Sequence, residues 1–298
     1  PGLRAEFAQA YRNEIEGSQA ERLATVVSTT MPVQRYAWLG MVPPMRELLD
    51  ERQPQGMSSH SVTIEDKVFE SSIAVDRRAI EDDQLDLIRL RVRDLAFRVA
   101  AHRTQIVTEA LAGGFTGTGY DGATLFSATH PVAGANYSNR TTNALGASAI
   151  AEGMAQMMAV PDDQGVPLGI VPDTLVVGPK LQWTAYELVE SPVVIYKGNA
   201  TDTAGSTPYK NAFQGRLQVV VSPFLTGASD DYWFLLDTKR PIKSVILQQR
   251  SDVPVEFTAL EANSGSESAW MRDRYHYGVR ARYNVGYGLW QTAYGAVL

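Results

Sequence analysis

The chain has 298 residues, no cysteine, and 27 basic against 33 acidic side chains, a formal charge of -6. Its 44% hydrophobic content is ample for a buried core in one large or two moderate domains. The lack of cysteine excludes disulfides, thiolate metal sites and thiol nucleophiles and fits folding in a reducing cytoplasm, while the acidic balance argues against a sequence-reading nucleic-acid binder.

No run approaches the roughly eighteen apolar residues of a membrane span; the densest, Leu217 to Leu225, is broken by Gln218, Ser222 and Pro223. Pro1-Gly2-Leu3-Arg4 holds no apolar signal core, so export is not implied, and Pro1 implies an initiator Met or a longer segment ahead of it.

Residues 3 to 27 scatter Leu3, Phe7, Tyr11, Ile15, Leu23 and Val26 among charges, which predicts an arm with one short amphipathic helix rather than a core element. Pro32, Pro43, Pro44 and Pro54 exclude continuous helix from Met31 to Gln55, so that stretch is expected to run extended, anchored by Trp38 and Leu39. Val62 and Ile64, the polar turn Glu65-Asp66-Lys67, then Phe69, Ile73 and Val75 against Glu70, Ser72 and Asp76 keep a two-residue period. This predicts a long two-stranded hairpin with Lys67 at its tip. Isolated hairpins are marginal in water, so it must pack on its own domain or on a neighbouring subunit.

From Asp82 to Ala112 the period changes. Leu85, Ile88, Val92, Leu95, Val99, His102 and Ile106 fall three and four apart, the apolar stripe of a helix about 45 Å long, with Asp82, Asp83 and Asp86 in its first turns and Gly113-Gly114 ending it. A second helix is expected over Ser148 to Met158, ending at Pro161-Asp162-Asp163. Short strands follow at Thr174 to Val177, Val193 to Tyr196, Leu217 to Val221, Tyr232 to Leu236, Ser244 to Leu247 and Val255 to Thr258, with a helix over Lys180 to Glu190. Finally Tyr275, Tyr277, Val279, Ala281 and Tyr283 line one strand face and His276, Arg280 and Arg282 the other, before a turn at Asn284-Val285-Gly286 into Tyr287 to Tyr294. The class is α+β.

A search for chemistry is negative. His60, His102, His130 and His276 show no metal-ligand spacing, and His102 on the helix stripe reads as a packed, hydrogen-bonded histidine. Ser127 and His130 lack the strand-turn-helix elbow of a nucleophile and its base, and read as a loop. The pairs Asp82-Asp83, Asp162-Asp163 and Asp230-Asp231 fit a helix start and two turns better than paired catalytic carboxylates. Gly113, Gly114, Gly117 and Gly119 follow a helix C-terminus, the wrong polarity for a phosphate loop. Arg280 and Arg282 could form a basic patch, but on an amphipathic strand they read first as a solvated face. No catalytic residue, cofactor or metal is therefore assigned, and the chain is read as no enzyme.

The element order (arm, hairpin, long helix, mixed centre, returning strands) resembles the Hong Kong 97-type phage capsid fold. Trp38-Leu39-Gly40, Met45-Arg46-Glu47, the block Phe69 to Asp83, Tyr120 to Phe126 with His130-Pro131, Val171 to Val177, and Tyr277 to Arg282 resemble the major head subunit of Mu-like phages; Leu48-Leu49-Asp50 and Leu125 depart from the pattern. The resemblance implies a capsid protein with an N-terminal arm over 1–34, a proline-rich segment and extended β-hairpin loop over 35–80, a peripheral domain with a spine helix over 81–145, a mixed axial domain over 146–240 and a return to the peripheral domain over 241–298. It implies assembly with itself, as hexamers and pentamers, into an icosahedral head, with scaffolding, portal and cement proteins as partners and only nonspecific contact with packaged double-stranded DNA. The place would be the virion, built in the host cytoplasm, with no membrane. Trp38, Arg46, Phe69, Glu70, Ile73, Val75, Asp76, Arg77 and Arg78 are the expected contacts between subunits. A soluble α+β enzyme with an unrecognised site, or a related encapsulin or gene-transfer shell, are the competing readings.

Overall fold

The computed structural model describes residues 2–39, 59–76, 78, 85–162, 165–195, 208–251, 255–260 and 274–298. They form two compact units, one of Pro1–Arg35, Thr63–Val107 and Ile246–Gly286, the other of Tyr36–Val62, Thr108–Val245 and Tyr287–Leu298.

In the first unit, α1 (Gly2–Ile15) and α2 (Gln19–Leu23) lead into β1 (Ala24–Thr29). Ser18 starts α2 by accepting the Glu21 N–H. The arm is a core element, which corrects the expectation: Phe7 is buried and stacks on Phe257, with ring centroids 5.1 Å apart. The two-residue period marked the right strands but the wrong pairing. β3 (Ser59–Glu65) pairs with β2 (Val33–Leu39), whereas β4 (Lys67–Asp76) runs antiparallel to β15 (Arg274–Tyr287), from Lys67 opposite Tyr283 to Asp76 opposite Arg274. The extended ribbon is thus β2 with β3, and Lys67 opens a sheet strand instead of capping a hairpin. The sheet continues as β1, β13 (Val245–Arg250), β15, β14 (Val255–Leu260).

The long helix α3 (Leu85–Gly113) covers this sheet. Its stripe of Ile88, Val92, Leu95 and Val99 is buried against Tyr277, Val279 and Phe257, each aliphatic side chain contributing about 1.5–3 kcal/mol. The expected turn at Asn284-Val285-Gly286 is absent: β15 runs through to Tyr287, and Gly286 holds no Cβ because one would meet Ile64.

In the second unit a five-stranded mixed sheet is ordered β11 (Gln218–Val221), β8 (Thr174–Val177), β12 (Trp233–Leu236), β16 (Ala293–Ala296), β7 (Arg140–Thr141). Helices α4 (Ala147–Ala159) and α5 (Gln182–Glu190) share one face, where Ile150, Met154, Met157, Ala185 and Val189 join Leu175, Trp233 and Leu235 in one core. Phe115, Phe126 and Phe234 form a separate cluster, with Phe126 5.4 Å from Phe234. Gly153 and Gly295 admit Tyr294 and Phe126, whose rings lie 2.8 Å from where a Cβ would sit. The remaining strands make small ribbons: β5 (His130–Val132) with β6 (Ala135–Tyr137), and β9 (Val193–Ile195) with β10 (Pro208–Lys210). β16 pairs β12 and β7, so the last two strands of the chain do not pair with each other as expected.

Candidate assembly interface

In the first unit, Asp66 joins β3 to β4. Its N–H donates to Pro32 O at 2.9 Å, and its buried carboxylate accepts from Gln248 Nε2 at 2.7 Å and lies 3.8 Å from both Arg250 and Arg282. The sequence signalled only a polar turn here. Its partners come from β13 and β15, far along the chain, which is why the anchor escaped notice. Arg282, read as a solvated basic residue, turns toward this carboxylate, while Arg280 is exposed.

Beyond Asp66, alternation along β4 sends Phe69, Ile73 and Val75 inward and leaves Glu70, Ser72 and Asp76 exposed. Phe69 packs 5.0 Å from the Tyr283 ring and 4.5 Å from His102. The Tyr283 hydroxyl lies 2.7 Å from His102 Nδ1. Burial, reinforced by Tyr11 and opposed by Arg103, pushes the Tyr283 phenol well above its ordinary range, so the hydroxyl keeps its proton. His102 is the packed, hydrogen-bonded residue expected. Ile73 and Val75 pack against the α3 core.

Arg78 is exposed, and its N–H donates to Asp76 Oδ1 at 3.0 Å. Of the other expected contacts, Trp38 lies on β2, and its side chain, Arg46 and Arg77 fall outside the described residues. A cleft of about 560 Å3 opens along β4 and α3, with Ile73, Val75, Ile88 and Leu95 as apolar lining and Asp76, Arg91, Asp94 and Arg98 as charged lining of both signs. It is open, and its chemistry suits an extended segment with alternating apolar residues.

In the second unit, His130 is fully buried on β5, not in a loop, and stacks on Trp290 with centroids 3.9 Å apart. Its Nδ1 lies 2.6 Å from Asp121 Oδ2 and its Nε2 3.1 Å from Asn139 Oδ1. Asn139 is fixed in orientation, because Oδ1 accepts the Ser127 N–H and Nδ2 donates to the Leu125, Trp290 and Ala293 carbonyls. Burial pushes the Asp121 carboxyl up, but the hydrogen bond and charge of His130, with the Ala123 N–H, outweigh it and hold the group below the usual carboxylate range. Ser127 Oγ accepts the Thr129 N–H within a local turn. This is a structural clamp with no nucleophile aimed into a pocket. Among the described residues no three His, Asp or Glu side chains gather as metal ligands, and no helix is long and apolar enough to cross a membrane.

The solved structures with this fold include phage capsids and a virus-like particle from Pyrococcus furiosus. The procapsid of bacteriophage JBD30 superposes with a TM-score of 0.54 at 24% identity, covering all of this chain and 76% of that one. The fold is therefore the Hong Kong 97-type capsid fold. The family described as Mu-like prophage major head subunit gpT matches residues 1–148, 136–225 and 225–297, and the chain belongs to that family. The Mu-like prophage FluMu major head subunit of Haemophilus influenzae is 27% identical over 278 residues, covering 93% of this chain and 65% of that protein. The major capsid protein of Escherichia phage Mu is 30% identical over 129 residues, covering 41% and 42%. The chain thus spans less than two thirds of the length of both relatives.

Proposed function

We propose that this chain is the major capsid protein of a Mu-like phage or prophage, self-assembling into the icosahedral head that encloses double-stranded DNA. The observation that carries the proposal is membership of the head-subunit family along nearly the whole chain. The open cleft between β4 and α3 supports it, since an extended segment of an adjacent subunit would cover its apolar floor. Glu70, Asp76 and Arg78, all exposed, are assigned to contacts with adjacent subunits, and so are Trp38, Arg46 and Arg77. Phe69, Ile73 and Val75 act from beneath by holding β4 on α3.

The domain roles belong to the same proposal: arm over 1–34, extended loop over 35–80, peripheral domain over 81–145 and 241–298, and axial domain over 146–240. So do the partners, namely other copies in hexamers and pentamers and scaffolding, portal and cement proteins, with assembly in the host cytoplasm. A net charge of -6 suits a container whose wall must not hold its DNA tightly during filling. Size-exclusion chromatography with electron microscopy tests the reading: closed shells or capsomer rings are expected, and a stable monomer at high concentration overturns it.

A further inference from the structure

His130 takes no part in the contacts assigned above, yet its ring is fully buried and both of its nitrogens meet acceptors. On the Nε2 side the acceptor is fixed. Turning the Asn139 carboxamide over would set its oxygen against the carbonyls of Leu125, Trp290 and Ala293, at 2.8, 3.2 and 3.2 Å, and its NH2 against the Ser127 N–H. Asn139 Oδ1 therefore faces Nε2, which must carry a hydrogen. On the other side Asp121 Oδ2 lies 2.6 Å from Nδ1. A carboxyl group held below the usual carboxylate range has no proton to offer at neutral pH, so Nδ1 must carry a hydrogen as well. The Trp290 indole lies parallel to the imidazole, with 5° between the planes, and turns the negative face of its π-system to it.

We infer that His130 is a buried imidazolium whose second proton is a latch, holding the C-terminal strand in the sheet of the second unit. The link to that strand is Asn139, whose carboxamide holds the Trp290 and Ala293 carbonyls and whose backbone carbonyl accepts the Gly295 N–H at 2.9 Å. A neutral ring has one hydrogen for two acceptors. The carboxylate, closer and charged, keeps it; Nε2 then turns a lone pair toward Asn139 Oδ1, and the grip of Asn139 on β16 loosens. The other titratable groups nearby are engaged elsewhere or uncharged at neutral pH. Tyr137 stands opposite His130 on β6, the Tyr120 hydroxyl accepts from Gln291 Nε2, and the Arg140 guanidinium lies over the Phe115 ring. An unfolded imidazole gives up its second proton above about pH 6.5. The folded chain then binds one proton more than the unfolded chain, so the stability contributed by the latch is complete below about pH 6.5 and declines as pH rises. The latch lies within one subunit and does not depend on the shell reading.

Magic-angle-spinning NMR of the full chain labelled with 15N-histidine, assembled or not, tests the inference. At pH 7 the His130 ring is expected to carry hydrogens on both nitrogens, its signals being those absent from His130→Gln. Should that variant fail to fold, His60→Gln, His102→Gln and His276→Gln combined leave His130 as the one labelled ring. Raising the pH is expected to strip the hydrogen from Nε2 and to shift the Ala293 and Gly295 amide signals along the same curve. Between about pH 6 and about pH 9 the melting temperature of the parent should fall by about 3–6 °C more than that of His130→Gln. A bare ring nitrogen at pH 7 overturns the imidazolium and the latch with it. A doubly protonated ring whose deprotonation leaves the Ala293 and Gly295 signals unmoved overturns the latch. Shell formation is read in neither case, so the proposed function stands or falls separately.

Discussion

Asp66 accepts a 2.7 Å hydrogen bond from Gln248 Nε2 at the junction of the β2–β3 ribbon with the first unit's sheet. Arg250 and Arg282 flank the same carboxylate. Replacing Asp66 by Ala removes the buried carboxylate that Gln248, Arg250 and Arg282 share, and is expected to cost about 3 kcal/mol. Asp66→Asn should cost less, because it keeps an acceptor for Gln248. Urea denaturation of unassembled chains measures both, and equal stability of the parent and the Ala variant would refute the anchoring role.

A second expectation concerns acid. Asp121 has a folded pKa below its unfolded value, so its contribution is fully present above about pH 4 and is lost as pH falls through the lower folded value. Asp121→Asn should lower the melting temperature at pH 7 and flatten its dependence below about pH 4, so that the two curves approach one another in strong acid. Parallel curves over that range would mean that the pair with His130 contributes no linkage.

Gly153 is helical, where Ala would ordinarily gain about 1 kcal/mol. Its Cβ would sit 2.8 Å from the buried Tyr294 ring and 3.0 Å from Leu235, so Gly153→Ala is expected to destabilise by about 1–3 kcal/mol. A higher melting temperature for this variant would show that the ring yields more easily than its packing suggests.

Glu70 and Asp76 are exposed on β4. Reversing both to Lys sets like charges opposite Arg280 and Arg274 of β15, is expected to cost the subunit no more than about 1–2 kcal/mol, and should reduce shell yield, as counted by electron microscopy. Phe69→Ala should instead weaken the subunit itself by about 3 kcal/mol, through lost contact with Tyr283 and His102. A normal yield from the double Lys variant would remove these carboxylates from the proposed contact.

These residues also show what periodicity reveals and what it omits. The α3 stripe was legible because Ile88, Val92, Leu95 and Val99 repeat at helical spacing and bury together, and β8 was legible because Thr174 to Val177 is a short apolar run buried on both faces. Alternation along Phe69, Ile73 and Val75 identified a strand and its inward face, but carries no information about its neighbour. The nearest strand in sequence was assumed, and the true partner was β15. Asp66 and His130 were misread for a related reason: a lone polar residue looks the same in a turn and in a buried network until distant donors such as Gln248 and acceptors such as Asn139 are placed around it.

The position of β16 between β12 and β7 bears on the order of events during synthesis. Until residues 293–296 have emerged from the ribosome, the second unit's sheet has a gap where its fourth strand belongs, and Phe126 has no Gly295 backbone to pack on. A nascent chain is thereby kept from closing this sheet until its fourth strand has been made.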